Sequence, residues 1–122
     1  MIKKAILAPR NSQIVICDPG HEVEVPRWKR NANHASTDTC ILMGCLMDAD
    51  GPTHFKLGEI DEVDPGRPPA FQGELKTPTR KIALESVDGH TVLDAPVPHE
   101  RTMIRVWTNH EREPDEVIVG FE

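Results

Sequence analysis

The sequence predicts an all-β protein: a single-domain antiparallel β-sandwich of about eight strands over residues 1–122, with little helix. Three observations carry that expectation. Turn signals recur at short intervals, at Asp18-Pro-Gly20, Asp48-Ala-Asp-Gly-Pro52, Asp64-Pro-Gly66, Pro68-Pro69, Asp88-Gly89, Pro96-Val-Pro98 and Glu113-Pro114, and the runs between them are short and rich in Val, Ile, Leu and Thr. Eleven prolines in 122 residues disfavour long helices. Finally, the stretch Lys81–Ala95 reads as a hairpin about Asp88-Gly89. The length suits one core, because chains divide into two domains only well beyond it.

Strands are expected near Ser12–Cys17, Cys40–Met47, His54–Ile60, Phe71–Leu75, Lys81–Val87, Thr91–Ala95, Arg101–Thr108 and Glu116–Phe121. Cys40–Met47 is apolar at nearly every position, so it is the candidate central strand, buried on both faces. In the hairpin, a two-residue type I′ turn at Asp88-Gly89 would set Ser86 opposite Thr91, Leu84 opposite Leu93 and Ile82 opposite Ala95. One face is then Ile82, Leu84, Leu93 and Ala95, while Glu85, Val92 and Asp94 turn to water. Alternation in Arg101–Thr108 separates Thr102, Ile104, Val106 and Thr108 from Met103, Arg105 and Trp107, and sets Arg105 beside an indole. Val117, Val119 and Phe121 fall together in the last strand. The core expected from these patterns is Ile14, Ile82, Leu84, Leu93, Ile104, Val106, Val117 and Val119, with Cys40, Leu42 and Leu46 around the central strand. Pro26–Asp38 is the least regular region, a loop with room for one helical turn.

Charge is laid out unevenly. Residues 1–40 carry six Lys/Arg against four Asp/Glu, residues 41–75 two against seven, and residues 76–122 six against nine, so the net −6 is concentrated in the middle. Such a surface repels a phosphate backbone, which argues against direct nucleic-acid binding, and it attracts cationic proteins. No apolar run approaches the ~18 residues a membrane span needs, and no signal peptide is read. Three cysteines, Cys17, Cys40 and Cys45, cannot all pair and sit in apolar surroundings, as expected of buried thiols in a reduced, cytoplasmic chain. Cys40 and Cys45 are five apart, outside zinc-binding spacings, and point to opposite faces of a strand.

Motifs for chemistry are mostly missing. His21-Glu22, His99-Glu100 and His110-Glu111 never extend to H-E-x-x-H and sit beside turns. Asp48-Ala-Asp-Gly opens like a calcium loop but continues with Pro52 and Thr53, where an oxygen ligand and a glycine are needed. Ser12, Ser36 and Ser86 lack a nucleophile-elbow context, and no Gly-rich phosphate loop occurs. No catalytic residue, metal ligand or cofactor is therefore assigned. The densest acidic stretch is Glu59-Ile-Asp-Glu-Val-Asp64, with four carboxylates and no cation.

Two segments carry a family resemblance. Gln13-Ile-Val-Ile-Cys17, followed after a turn-rich stretch by Trp28, and Ile82-Ala-Leu-Glu-Ser-Val87, followed after a hairpin by Val106-Trp107-Thr108, resemble the competence protein J family. The resemblance spans roughly residues 12–110 and implies a small acidic protein found with a bacterial nuclease, similar in role to the immunity proteins that hold toxic nucleases in check. Pro98-His-Glu-Arg-Thr-Met-Ile104 departs from it, lacking the glycine and aromatic that the family usually places before its last tryptophan-bearing strand. The expected function is a protein-binding module, an inhibitor or regulator of a cationic nuclease or toxin, with Glu59, Asp61, Glu62, Asp64 and Trp28 as partner-binding residues. A homo-oligomer is compatible with the sequence. Two alternatives stay open: a small-molecule- or metal-binding β-sandwich enzyme, and an accessory module of a larger assembly.

Overall fold

The computed structural model describes all of residues 1–122. Ten strands are formed: β1 Lys3–Leu7, β2 Gln13–Cys17, β3 His34–Ser36, β4 Cys40–Gly44, β5 Thr53–Glu59, β6 Phe71–Lys76, β7 Lys81–Glu85, β8 Thr91–Pro96, β9 Arg101–Thr108 and β10 Glu116–Phe121. Helix is limited to one turn, α1 Ile60–Val63, and two three-residue 3₁₀ turns. The strands make two five-stranded sheets, ordered β1-β5-β10-β9-β6 and β3-β4-β2-β7-β8. All-β architecture is thus what the turn spacing and proline density announced. Every neighbouring pair is antiparallel except β5 and β10, which run parallel with Phe55 beside Val117 and Leu57 beside Val119.

The sheets face one another across a core of 17 buried residues, including Ile14, Ile16, Ile41, Met43, Phe55, Leu57, Ile82, Leu84, Ile104, Val106, Val117 and Val119. Each inner face is formed by alternate residues of its strands, with β4 and β10 buried on both faces, and this burial is the main source of stability. Both edges of the sandwich are tied. At one, the Asp94 carboxylate on β8 lies 3.5 Å from Lys3 Nζ on β1 and 3.4 Å from Lys81 Nζ on β7. At the other, His34 on β3 meets Phe71 on β6 edge to face, ring centroids 5.4 Å apart.

Details of the expectation change. Two short strands are added, β1 and β3, and β3 occupies part of Pro26–Asp38 where a helical turn was allowed for. Cys40–Met43 is buried throughout, but β4 stands one place from the centre of its sheet, which β2 holds. Leu93 and Leu46 are only partly buried, Leu46 because β4 ends at Gly44. Arg105, expected beside the indole, keeps its Nε buried without a hydrogen-bond partner.

The hairpin turn is not type I′. Only Gly89 has positive φ, +86°, whereas type I′ needs it at Asp88 too. Gly89 N donates to Ser86 O at 3.0 Å and Ser86 N to His90 O at 2.9 Å, which makes Val87-Asp88-Gly89 a three-residue loop with glycine in the left-handed position. Pairing is consequently one residue out of step near the turn, Glu85 opposite Thr91. An irregularity between Leu84 and Glu85 absorbs the slip, so Leu84 still meets Leu93 and Ile82 still meets Ala95. The inward face survives because burial of Ile82 and Leu84 fixes register more strongly than the turn does.

Candidate functional site

The acidic stretch lies where β5 runs into α1. Ile60 and Val63 point inward and are buried with Trp107 and Ile118 in a second small cluster, on the outer face of the first sheet. Two glycines make this seat. Gly58 on β5 and Gly120 on β10 are direct neighbours in the parallel register. A Cβ at Gly58 would come within 2.9 Å of Val63 Cγ1, and one at Gly120 within 3.0 Å of Ile60 Cγ1 and 3.1 Å of both Val63 Cγ2 and Trp107 Cζ3. The bare backbone pair is therefore the floor on which the helical turn rests. Trp107 closes one side, its Nε1 donating to Arg67 O at 2.7 Å, which holds the chain leaving α1.

With Ile60 and Val63 committed inward, Glu59, Asp61, Glu62 and Asp64 are exposed. Asp64 Oδ1 accepts Gly66 N at 2.8 Å, an Asx turn that ends the helical turn. Glu62 Oε1 lies 2.8 Å from the amino group of Met1, an exposed pair of small energetic weight. Arg67, the next cation along the chain, is engaged at Thr108 O, 3.3 Å, and at Glu116 Oε1, 3.6 Å. Glu59 and Asp61 also border an open groove of about 360 Å³ whose other walls include His99, Phe121 and Glu122. No lysine or arginine lines it. The group of carboxylates can offer a cationic surface several closely spaced acceptors in place of phosphates.

Four of the five expected partner-binding residues, Glu59, Asp61, Glu62 and Asp64, are neighbours in the chain and all exposed. Trp28, 41% exposed, sits apart in the connection from β2 to β3 of the other sheet, flanked by Arg27, Lys29 and Arg30. The histidines of the three His-Glu pairs are exposed, and no three His, Cys, Asp or Glu side chains converge in a way that could hold a metal ion. All three thiols are free and buried. Burial and then the Glu85 carboxylate push the Cys40 thiol up to about 11, and burial alone pushes Cys45 up to about 12. No helix is long and apolar enough to cross a membrane.

One feature has no signal in the sequence. At the β3–β6 edge, an opening of about 680 Å³ is lined by Asn31, Asn33, His34, Arg67, Asn109 and His110 around Met43. His110 Nδ1 accepts from the backbone N–H of Arg112 and Glu113, at 3.1 and 3.0 Å, which fixes the ring with its Nε2 free to donate. The residues come from four separate stretches, so no local motif could mark it.

Neither a protein-family profile nor the sequence of a curated protein matches the chain. Among solved structures, the crystal structure of ComJ from Bacillus subtilis, described as an inhibitor of the DNA-degrading activity of NucA, superposes with a TM-score of 0.73 at 16% identity. The match covers 99% of this chain and 97% of that one. The chain shares its fold with ComJ. A second structure, the product of crocagin biosynthetic gene J, matches with a TM-score of 0.57 at 12% identity, over 99% of this chain and 96% of that one. The fold that the Gln13–Cys17 and Ile82–Val87 resemblance implied is therefore the fold observed.

Proposed function

We propose that this protein is a stoichiometric binding module that restrains a cationic protein, with a nuclease as the partner class. The carboxylates of Glu59, Asp61, Glu62 and Asp64 take the place of substrate phosphates, and Trp28 is a separate aromatic contact. The observation that carries this reading is the glycine seat under α1, which buries Ile60 and Val63 and leaves the four carboxylates outward with only the Met1 amino group in ion-pair reach. The shared fold with a nuclease inhibitor supports the choice of partner class.

The test is association with a NucA-type nuclease at low salt. Reversing Glu59, Asp61 and Glu62 to Lys raises the net charge from −6 to 0 and is expected to slow association about tenfold or more. Reversing Glu22, Asp50 and Glu113, exposed carboxylates elsewhere, gives the same net charge and is expected to act far less. Equal losses in both variants would mean that only overall charge matters and would remove the site. A second reading, small-molecule binding, is favoured by the polar opening around Met43. It predicts that Arg67→Ala abolishes a ligand-induced rise in melting temperature that the α1 reversal leaves intact.

A further inference from the structure

We infer that Cys17 and Cys40 form a redox pair, a site where a reversible disulfide closes the connection carrying Trp28 without rearrangement of the sheet. The two residues stand directly opposite one another on β2 and β4, so their side chains share one face. The hydrogen-bond phase along these strands decides the geometry. Cys45 N donates to Ser12 O at 2.7 Å just beyond the ladder, which turns the backbone polar groups of Cys45 toward β2. Pairs alternate from there, and Cys17–Cys40, five residues further along, is a non-hydrogen-bonded pair. Cys40 O accepts Thr37 N from the other side at 2.8 Å, as that phase requires. Non-hydrogen-bonded partners have Cα atoms about 4.5 Å apart, at the near end of the 4.4–6.8 Å range that disulfides span.

Cys45 is excluded from the pair, because it lies in the core on the opposite face of the second sheet. Cys17 Sγ donates to Glu85 Oε1 at 3.4 Å, which gives its proton an acceptor. With hydrogen peroxide as oxidant, the Cys40 thiolate attacks one peroxide oxygen, the O–O bond breaks, and hydroxide leaves and is protonated to water. Cys17 sulfur then attacks the resulting sulfenic sulfur as its own proton passes to Glu85. The S–S bond forms and the departing hydroxide takes a proton, so two thiols and one peroxide give one disulfide and two waters. Burial and Glu85 keep both thiols protonated at neutral pH, so the pair rests reduced and oxidises slowly. Closure makes a covalent ring of residues 17–40, which holds the connection that presents Arg27, Trp28, Lys29 and Arg30.

The experiment is oxidation of the native protein with hydrogen peroxide, followed by thiol titration in denaturant and peptide mapping. Free thiols are expected to fall from three to one, with a Cys17–Cys40 linked peptide, and to return to three with dithiothreitol. Tryptic cleavage after Arg27 or Arg30 should leave two fragments joined until reduction. Cys45→Ala must still form the link, while Cys17→Ser and Cys40→Ser must each fail to. Retention of three thiols in the folded protein, a link involving Cys45, or only intermolecular dimers would overturn the inference. None of these readouts depends on a nuclease partner.

Discussion

The two outer faces of the sandwich solve the same problem in different ways. On the first sheet, a single helical turn covers Trp107 and Ile118, and two side-by-side glycines let it sit directly on the backbone. On the second sheet, the corresponding face carries Cys17, Cys40, Leu42 and Ala83, all buried, with the half-buried Glu85 among them. Its neighbouring connection is held by polar contacts instead: Thr37 Oγ1 donates to Glu24 O at 2.6 Å and Glu24 N to Thr39 Oγ1 at 2.8 Å. An apolar seat buries its anchors and leaves the adjacent carboxylates exposed. A face built of thiols and one carboxylate holds the two opposed sulfurs on which the proposed disulfide rests. The difference separates a face anchored by apolar side chains from one that sets two thiols beside a carboxylate.

Perturbations rank these faces against the core they share. Leu84→Ala removes a fully buried side chain between the sheets and should cost about 2–5 kcal/mol in urea unfolding, the largest effect expected of a single residue. Gly120→Val acts on the first outer face alone. With Ile60, Val63 and Trp107 already about 3 Å from a bare Cβ, the loss should be about 1–3 kcal/mol, and protease sensitivity near α1 should rise. Gly89→Val, away from both faces, forces a β-branched residue to φ +86°, where its Cβ meets no neighbour. Its cost is then backbone strain alone, about 1–2 kcal/mol, read in the same urea series.

The second outer face should reveal itself by pH. Its thiols titrate above their ordinary value when folded, so their contribution is fully present below about pH 9 and is lost as pH rises through the folded value, about 11 for Cys40. Unfolding followed from pH 8 to 11 should therefore show stability falling with pH. Glu85→Gln, which removes the carboxylate that helps hold Cys17 and Cys40 protonated, should flatten that fall. An unchanged slope would assign the fall to other groups. The smallest effect on stability belongs to the α1 carboxylates. Reversing Glu59, Asp61 and Glu62 should move the melting temperature by only a few degrees, because these charges face water.

Eight strands were legible because each alternates or runs apolar between turn residues. The two that were not have identifiable reasons. In β1, Ile6 points outward, 63% exposed, so the edge strand lacks a clean apolar face. In β3, three residues without a β-branched side chain pair with β4 only because the chain is delivered there. The site was half legible. Glu59–Asp64 stands out by charge, yet nothing local shows that Ile60 and Val63 turn inward while the carboxylates stay out.

What the sequence determined by itself was therefore local: where strands and turns fall, which side of Arg101–Thr108 and Glu116–Phe121 enters the core, and where negative charge accumulates. Period-two patterning and turn chemistry act over a few residues and can be read along the chain. Only the tertiary structure decided that β10 lies parallel to β5, that Gly58 meets Gly120 under α1, and that Cys17 faces Cys40. These pairings join residues far apart in the chain. They depend on which strand becomes whose neighbour, and that follows from burying both sheets' inner faces at once rather than from any single segment.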